Sequence, residues 1–450
     1  MKGTPPHGRH RSGPRLPSDF RSRHPNPAGP LELPALTPRP RRRRTHPHRP
    51  HAAVMVCTPE LTRQVIFDSR LFDKGGIFFE RLNDVADNNL LTCPYSHHKR
   101  QRRLVQPAFH PARLPDYAAE MTARILAVSD SWQDGQAIDV SAEMAKLTSG
   151  VLISAVLGSS LDEASLTRAT ADLDTILNGV FRRSISPPAF NRLPLPGNRS
   201  YHAATKSLHR TLHTLIQDKH AEATPGSDML SLLLAARDRE TDGQGLSDAE
   251  VANQVITFFA AGIETTAGTL SWTFDLLSRH PQIHTRLQHE VDAVLAGRPA
   301  TYQDIDQLPY TQQVLDETLR LRPPQWFMTR VTTQDTRLAG HAIPAGTQIA
   351  FNNHFLHYKP SAHPDPERFD PDRWEPNRTS TSQRDAYVPF GIGTRKCIGD
   401  RFAYTEAVLT IATVTNRWHW KAAPGNQPEP RARLTLRPRD LRMIMKRRTP

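Results

Sequence analysis

The longest helical segment of the chain sets the strongest limit on its fold. Residues 247–250, Ser-Asp-Ala-Glu, match a capping box that starts a helix, and helical periodicity then continues to about Arg279, just before Pro281. At 1.5 Å per residue such a helix is roughly 50 Å long, which is enough to cross a whole domain. Its middle, Val255 to Ile263, is apolar on nearly every side and is therefore predicted to be buried. A large core must surround this helix.

The remaining segments predict a mainly α-helical fold with a minor β component. Residues 70–95 carry loop signals such as Gly75-Gly76 and Asn88-Asn89. Periodicity and helix-start signals predict further helices at 59–69, 97–109, 114–132, 140–157, 162–182, 200–221, 229–236, 281–295 and 308–321. Short strands are predicted at 54–56, 325–331, 335–338 and 347–351.

Most of the net charge of +13 belongs to the first 52 residues. They hold 12 Lys and Arg side chains against Asp19 and Glu32, whereas the rest of the chain holds 46 basic and 43 acidic residues. The segment is also rich in proline and histidine and has four arginines in a row at 41–44, a composition that cannot bury enough apolar area to fold. We therefore predict a disordered extension at 1–52 and a globular domain at 53–450.

Two further hypotheses remain open for residues 1–52. Their charge is typical of an arm that binds nucleic acid or another acidic surface. The abrupt change to ordinary globular sequence near Val54 also fits a start that does not belong to the natural protein. The nearly neutral remainder of the chain does not favour a nucleic-acid partner.

The cysteine content favours a reducing compartment. The chain has three cysteines, Cys57, Cys93 and Cys397, which are too few and too scattered for a disulfide framework. No apolar run approaches the roughly 18 residues of a membrane span, and the N-terminus lacks the apolar core of a signal peptide. We therefore expect a cytoplasmic protein without a membrane span.

A lone cysteine lies in a glycine-rich loop near the C-terminus. Residues 390–399 are Phe-Gly-Ile-Gly-Thr-Arg-Lys-Cys-Ile-Gly, and an apolar helix is predicted from Phe402 to Val414. Glycines let the backbone approach a flat or bulky ligand, and a cysteine beside cations and a helix N-terminus is favoured as the thiolate that binds metal. Iron with one axial thiolate is suited to O–O cleavage. The alternative is a buried structural cysteine beside a turn.

The long helix contains an acid and a threonine next to a glycine, in residues 261–266, Ala-Gly-Ile-Glu-Thr-Thr. Gly262 costs a helix about 1 kcal/mol relative to alanine, so we expect it to leave room for a small molecule beside a bound cofactor. Glu264 and Thr265 are suited to relay protons to that molecule. In the alternative interpretation, Thr265 bonds to the carbonyl four residues earlier and bends the helix, and Glu264 lies on a solvated face.

A second charged motif lies in the helix predicted at 308–321. Glu317 and Arg320 are three residues apart on one face, and their apolar neighbours indicate burial. A buried pair requires further partners, and Arg373, in the segment Phe-Asp-Pro-Asp-Arg-Trp at 369–374, is our candidate. We predict that the three side chains tie this helix to the segment that leads into the cysteine loop.

The helix predicted at 97–109 is strongly basic. His98 and Arg102 lie one turn apart and are suited to bind the carboxylates of a porphyrin, with Arg395 as a third contact. The neighbouring basic residues have two open interpretations, a solvated face or a docking surface for an acidic electron-transfer protein: Lys99, Arg100 and Arg103.

Together, these segments resemble the cytochrome P-450 family of haem-thiolate monooxygenases, in the expected order over roughly 54–446. The resemblance implies a helix-rich triangular prism with small β-sheets and a haem b whose iron is bound by Cys397. It further implies that Thr265 and Glu264 deliver protons to bound dioxygen. The residues implied to contact the haem are His98, Arg102, Arg395, Phe390, Gly391 and Ala261, and those implied to brace the structure are Glu317, Arg320 and Arg373.

The resemblance also indicates the class of substrate. The resemblance implies substrate contacts near 75–92, 176–186, 258–261, 325–328 and 434–435. The implied pocket residues are apolar: Phe258, Phe259, Trp326, Phe327 and Met328. Residues 321–330 are similar to the matching segment of bacterial family members that oxidise cyclic sesquiterpenes. We therefore expect oxygen insertion into a cyclic terpene of bacterial secondary metabolism, such as antibiotic biosynthesis. A polyketide or a fatty acid is the alternative substrate.

The electron source and the N-terminus are the remaining expectations from the resemblance. No flavin or iron–sulfur motif is evident, so a separate ferredoxin and ferredoxin reductase are expected to supply the electrons. The basic extension stands where the family usually has a first helix and a first strand. A haem-binding protein impaired in turnover by the lack of these elements is therefore an alternative to an active enzyme.

Overall fold

The computed structural model describes residues 53–158, 163–222, 226–240, 243–426, 428–432 and 435–448. The predicted extension at 1–52 lies outside these residues. The described helices are α1 Pro59–Phe67, α2 Ile77–Asn83, α3 Tyr95–Val105, α4 Leu114–Asp130, α5 Val140–Leu157, α6 Glu163–Ile185, α7 Pro188–Arg192, α8 Pro196–Ala221, α9 Met229–Ala235, α10 Asp248–Arg279, α11 Pro281–Leu295, α12 Pro309–Leu321, α13 Asn353–His357, α14 Thr381–Ala386 and α15 Asp400–Arg417.

The strands form small sheets, so the predicted mainly α fold with a minor β component is confirmed. The strands are β1 Ala53–Val56, β2 Phe72–Asp73, β3 Ala137–Asp139, β4 Phe327–Thr332, β5 Thr336–Leu338, β6 His341–Ile343, β7 Gln348–Asn352, β8 Trp418–Ala422, β9 Glu429–Ala432, β10 Leu436–Arg439 and β11 Arg442–Arg447. The largest sheet has the order β1-β7-β4-β2. β1 runs parallel to β7, and β4 is antiparallel to both of its neighbours.

Helix α10 crosses the core as its sequence predicts. Ser247 and Glu250 form the capping box in both directions, and most side chains from Val251 to Leu277 are buried. Helix α5 packs along it, and a Cβ on Gly262 would meet Leu152 Cδ2 of α5 at 2.8 Å. Gly262 therefore permits the close approach of two helices; because it also lines the internal cavity, the expectation that it leaves room for a small molecule stays a prediction.

Helix α5 is the one described helix that is long and apolar enough to cross a membrane. Its apolar stretch is 67 % buried inside the protein, because it packs against α10 and α4. Its composition is that of a core helix.

The structure contains several elements that were not predicted, among them β3, β6, α13 and α14. The expected loop at 70–95 contains β2 and α2, and the expected break at 187–197 contains α7. Both helices are too short for a periodic pattern to identify. The C-terminal strands were not predicted either: β9 pairs with β10, and β11 pairs both with β8 and with β3, about 300 residues earlier in the chain.

A buried cluster of charges around Glu317 positions the segment before the cysteine loop. Both carboxylate oxygens of Glu317 accept from Arg320, through Nη2 at 2.8 Å and Nε at 2.9 Å, and Arg373 Nε donates at 2.9 Å. Trp374 Nε1 and the Asp370 backbone N–H complete the shell, each at 3.0 Å. The predicted contact between these three charged residues is therefore present. These five donors give the buried carboxylate the partners that a buried ion requires.

The cluster reaches the cysteine loop through one histidine. Val388 N–H donates to His357 Nε2 at 3.1 Å, so the proton of the neutral ring is on Nδ1, which donates to the Arg320 carbonyl at 3.1 Å. Burial lowers the pKa of His357 to about 3, which keeps the ring neutral. Arg320 also donates to the His357 carbonyl at 3.0 Å. Helix α12 and the chain entering the loop are thus held by one continuous set of hydrogen bonds.

We expect Glu317→Gln to destabilise the protein strongly, because Arg320 and Arg373 would keep buried charges without their counter-ion. Breaking a buried ion pair by removing one partner costs about 3–5 kcal/mol. The measurement is urea unfolding followed by circular dichroism. Glu367→Gln, at an exposed position of the same segment, is the control and should change the free energy of unfolding by less than about 0.5 kcal/mol. Equal effects of the two substitutions would contradict the role assigned to Glu317.

Candidate active site

The cysteine loop turns tightly and presents Cys397 to a large internal cavity. The Cys397 N–H donates to the Phe390 carbonyl at 2.9 Å, and the Gly391 N–H donates to the Val388 carbonyl at 3.0 Å. Gly391 has a φ of 70°, a conformation that favours glycine. Phe390, Gly391 and Cys397 all line the cavity, and helix α15 begins three residues after the cysteine.

The surrounding protein and the cationic neighbours act on the pKa of the Cys397 thiol in opposite directions. Burial raises the pKa of the Cys397 thiol, and this effect exceeds the lowering by the Gly399 N–H, Arg102 and Lys396. A bound metal ion deprotonates a coordinating thiol outright. The site therefore favours the thiolate only when a metal supplies the positive charge.

Three cationic side chains line one edge of the cavity: Lys74, Arg330 and Arg395. Arg395 Nη2 lies 2.8 Å from Asp73 Oδ1, and its Nη1 donates to the Cys93 carbonyl at 2.9 Å. Arg330 is 3 % exposed, and burial lowers its pKa to about 10. Sequence analysis identified Arg395 but not Lys74 or Arg330. Pairing of β2 with β4 brings these two together, and no short-range pattern in the sequence signals it.

The cation edge fits the two carboxylates of a porphyrin. The buried Nε atoms of Arg330 and Arg395 have no hydrogen-bond partner among the described residues. Burial and the neighbouring arginines lower the pKa of Lys74 well below its usual range, and Asp73 offsets only part of this positive charge. Buried charges require partners, so this edge requires an anionic group. The residues present therefore fit a haem, with its carboxylates at the cations and its iron at Cys397.

His98 and Arg102 lie next to this edge but not on the cavity wall. His98 is 6 % exposed, and burial, together with Arg395, Arg102 and Lys74, lowers its pKa to about 3. It is therefore a neutral hydrogen-bonding group. Arg102 Nη1 donates to the Lys396 carbonyl at 2.7 Å and so holds the cysteine loop directly.

The other basic residues of α3 are already paired within the chain. Lys99 lies 3.2 Å from Glu240, and Arg100 Nη1 lies 3.1 Å from Glu250. Arg103 forms two ion pairs, with Asp238 at 2.7 Å and with Glu240 at 3.0 Å. The Lys99 side chain is nevertheless 79 % exposed, so a solvated face and a docking surface for an electron-transfer protein both stay open for these residues.

The acid and threonine of α10 face the same cavity as Cys397. Thr265 Oγ1 donates to the Ala261 carbonyl at 2.7 Å, as the structural interpretation predicted, and Thr265 nevertheless lines the cavity. The Glu264 side chain is 11 % exposed, and its Oε1 lies 3.6 Å from Arg437 Nη1. Thr435 donates to Glu264 Oε2 at 3.3 Å. Glu264 therefore does not lie on a solvated face.

Of the residues predicted to contact the substrate, some line the cavity and others do not, depending on the helix or strand that carries them. Phe258 and Met328 line the cavity. Phe259 points from α10 into the core at 2 % exposure, and Phe327 is 37 % exposed at the surface. Trp326 is half-buried, with its ring 5.6 Å from that of Phe327. These three are not among the cavity-lining residues, because successive side chains point about 100° apart on a helix and to opposite faces of a strand.

Much of the apolar wall comes from segments that the family resemblance implied as substrate contacts, 75–92 and 176–186. Phe109, which was not predicted, lines the cavity and stacks edge-to-face on Phe258, with ring centroids 5.0 Å apart. Further apolar side chains of this wall include Phe78, Phe79, Leu82, Leu91, Leu152 and Leu177. Two of the predicted helices and the missed helix α2 supply most of them.

The fold and the cavity define a haem-thiolate oxygenase. Comparisons with known proteins agree. The family model for cytochrome P-450 matches residues 45–445. Pentalenene oxygenase of Streptomyces avermitilis is 44 % identical over 402 residues, which are 89 % of each chain. Cyclooctat-9-en-7-ol 5-monooxygenase of Streptomyces melanosporofaciens is 40 % identical over 377 residues, 84 % of this chain and 82 % of the relative.

A solved structure has the same fold: the haem domain of cytochrome P450DA matches with a TM-score of 0.80 at 27 % identity, over 88 % of each chain. The chain belongs to the cytochrome P-450 family. It is a monooxygenase that uses haem with a cysteine thiolate ligand, dioxygen, a small-molecule substrate and redox partners. The match begins inside the segment 1–52, and the boundary at 53 stays a prediction.

We expect Cys397→Ser to abolish the thiolate type of ferrous–CO spectrum, because no other cysteine lines the cavity among the described residues. Oxygen insertion should be lost with it. The measurement is the CO difference spectrum of the purified, haem-loaded protein. Cys57→Ser, at an exposed position, should leave the spectrum unchanged. A thiolate spectrum retained by Cys397→Ser would show that Cys397 is not the ligand.

Arg330→Gln should weaken haem retention, because the cation edge would lose a buried charge that has no other partner at Nε. A hydrogen bond to a charged group contributes about 1.5–3 kcal/mol, so we expect haem to dissociate roughly 10- to 150-fold more readily. Transfer of haem to apomyoglobin measures this. Arg337→Gln, an exposed residue on β5, is the matched control. Identical transfer rates for both variants would remove Arg330 from the haem site.

Proposed function

We propose that the chain inserts oxygen into an apolar cyclic terpene, with Cys397 as the axial ligand of its haem. The observation that carries the proposal is one cavity lined by Cys397, Thr265 and a largely apolar wall. The relatives that are 44 % identical over 402 residues and 40 % identical over 377 residues are named for pentalenene and for cyclooctat-9-en-7-ol. Both names describe polycyclic terpenes, and the apolar wall suits such a hydrocarbon because few polar groups point at it.

Haem, when bound, supplies the redox chemistry and the activation of dioxygen, and the protein supplies orientation and the exclusion of water. In our proposal Lys74, Arg330 and Arg395 hold the haem carboxylates, and Phe390 and Gly391 bring the loop backbone close to the ring. Ala261 offers a small side chain where α10 passes over the cavity. The side chains Phe258, Phe109 and Met328 then shape the space left for the substrate.

Thr265 is proposed to pass protons into the cavity. Its hydroxyl donates to the Ala261 carbonyl, so it must release that carbonyl to donate its proton into the cavity while an oxygen lone pair accepts the next proton. In this proposal Glu264, which also lines the cavity, takes up a proton from solvent and donates it to Thr265 once its side chain has left Arg437 and Thr435. The ion pair with Arg437 thus keeps the Glu264 side chain close to the active-site cavity.

We further propose that a ferredoxin and its reductase supply the electrons and that the protein is cytoplasmic. The chain shows no flavin or iron–sulfur motif, and the apolar helix α5 is mostly buried inside the protein.

Incubation of the haem-loaded enzyme with ferredoxin, its reductase and a panel of cyclic terpenes tests the substrate class. We expect a hydroxylated or further oxidised terpene, detected by mass spectrometry. Conversion of fatty acids or polyketides, but of no terpene, would overturn the substrate assignment. Haem binding without any turnover would favour the impaired protein instead.

Thr265→Ala should lower the rate of product formation by roughly 100-fold, because general acid catalysis contributes about 10²- to 10⁴-fold, while consumption of reducing equivalents continues. Thr257→Ala is the matched control: Thr257 lies on the same helix, donates to the Asn253 carbonyl at 2.7 Å and does not line the cavity. Product and consumption measured together separate lost proton delivery from lost folding. Coupled turnover by Thr265→Ala would contradict the proposed role.

A further inference from the structure

A second cavity, of about 390 Å³, lies at the surface where residues of α2, α6, α7 and α8 meet. It shares no lining residue with the active-site cavity. Among the described residues, its charged lining side chains are three arginines, Arg81, Arg183 and Arg192, and one acid, Asp84. We call this cavity the arginine pocket. Its excess of positive charge favours an anionic ligand.

Three buried polar atoms at the arginine pocket have no hydrogen-bond partner within the parts of the chain that the structure describes. They are the Nε atoms of Arg81 and Arg183 and the phenol oxygen of Tyr201. Arg183 is 7 % exposed and Tyr201 is 2 % exposed, so water does not readily solvate either side chain. Buried donors without partners are costly, and three of them at one pocket indicate a missing acceptor.

Packing fixes the positions of two of these donors before any ligand binds. The Arg183 guanidinium lies over the Tyr201 ring, 4.7 Å from its centroid, and Arg183 Nη1 donates to the Asn191 carbonyl at 3.0 Å. The Tyr201 ring packs so closely on α6 that it leaves no space for a Cβ at Gly179. Burial raises the pKa of Tyr201 to about 12, so the phenol keeps the proton that it can donate.

Asp84 occupies the place that an external anion would take. Its Oδ2 lies 3.2 Å from Arg81 Nη1 and 3.9 Å from Arg183 Nη2, so the carboxylate sits between two guanidinium groups. The Asp84 side chain is 41 % exposed and comes directly after the last residue of α2, which lets it turn towards solvent. Its two oxygens leave the three buried donors unpartnered, so a ligand with more acceptor oxygens suits the pocket better.

We propose that the arginine pocket binds a soluble phosphate, either inorganic phosphate or a phosphate monoester, in place of the Asp84 carboxylate. The tetrahedral oxygens of a phosphate are strong acceptors that match guanidinium and hydroxyl donors arriving from different directions. A carboxylate, with two oxygens in one plane, and chloride, with a single centre, match fewer of these donors. The bound phosphate joins Arg81 of α2, Arg183 of α6 and Tyr201 of α8.

The proposed site acts on the active-site cavity because two of its helices also form the wall of that cavity. Phe78 and Leu82 of α2 and Leu177 of α6 line the active-site cavity, whereas Arg81 and Arg183 of the same helices line the arginine pocket. A phosphate that binds both arginines holds α2 against α6. We therefore expect it to suppress local opening of this part of the wall, whatever the substrate is.

Thermal unfolding of the full-length, haem-loaded protein tests the site. Inorganic phosphate should raise the unfolding temperature more than sodium chloride at the same ionic strength, because it binds the folded state. Tyr201→Phe should remove most of this stabilisation. In phosphate-free buffer the same variant should unfold at an equal or higher temperature, because the substitution deletes a buried hydroxyl that has no partner. Tyr95→Phe, at an exposed tyrosine, is the matched control and should respond to phosphate like the unchanged protein.

Two outcomes of the unfolding experiment would overturn the proposal. The first is a protein that phosphate stabilises no more than sodium chloride does. The second is a Tyr201→Phe variant that unfolds at a lower temperature without phosphate and is still stabilised by it, because the phenol would then serve the fold and not a ligand.

Calorimetric titration with inorganic phosphate measures what each side chain contributes. Tyr201→Phe should weaken binding roughly 10-fold, and Arg192→Gln, which removes an exposed charge, should weaken it about threefold. Asp84→Asn should instead strengthen binding at least about threefold, because the competing carboxylate is lost. Arg337→Gln, at an exposed site on β5, is the charge control and should have little effect. Phosphate attracted by residues 1–52 would respond to none of these substitutions, so equal affinities throughout would refute the site.

Amide hydrogen exchange locates the bound phosphate. Phosphate should slow exchange in helix α2, Ile77–Asn83, of the unchanged protein but not of Tyr201→Phe. Helix α11, Pro281–Leu295, which contributes no residue to the arginine pocket, is the internal control and should exchange at the same rate with and without phosphate. Exchange in α2 that phosphate leaves unchanged, or slows equally in both proteins, would place the anion elsewhere.

Discussion

The Glu317 carboxylate is the group on which the geometry of the active site depends. Five donors converge on its two oxygens, from Arg320, Arg373, Trp374 and the Asp370 backbone. With fewer partners, the interactions of a buried carboxylate would not offset the free energy that it loses when it leaves water. The donors come from α12 and from the chain that leads into the cysteine loop, so satisfying one charge also fixes how these segments lie. His357 then accepts a hydrogen bond from the Val388 N–H, two residues before Phe390, and so connects this cluster to the cysteine loop.

The cavity itself is divided by polarity. One edge carries Lys74, Arg330 and Arg395, and most of the remaining wall is aromatic or aliphatic. A flat apolar group with carboxylates on one side can therefore settle in one orientation, because reversal would bury its charges against phenylalanine and leave the cations unpaired. The same division leaves the space beyond the cofactor suited to hydrocarbon. Orientation of the cofactor and preference for an apolar substrate thus have a common electrostatic cause.

Local patterns predicted the residues whose roles follow from short spacing, and they failed where the fold brings distant segments together. The loop around Cys397 and the pair Glu317 and Arg320 were placed correctly, because each motif lies in one element. Arg330 and Lys74 were missed because they meet through the pairing of β4 with β2. Met328 lines the cavity and Phe327 does not, since a shift of one residue reverses the face of a strand. The amino-acid sequence did not predict the direction in which the pKa of Cys397 is shifted, because that shift depends on how the folded protein surrounds the thiol.

The contact between Gly262 and Leu152 has a consequence for how this enzyme can diversify. Any larger residue at 262 would drive Leu152 away, since the added atom would lie 2.8 Å from Leu152 Cδ2, and Leu152 itself lines the cavity. The part of the cavity wall that Leu152 forms is therefore determined by the packing of α5 against α10. Substitution of Leu152 on α5 can change the shape of the space for a substrate while helix α10, which carries Thr265, stays in place. New specificities are accessible through a residue that takes no part in the chemistry.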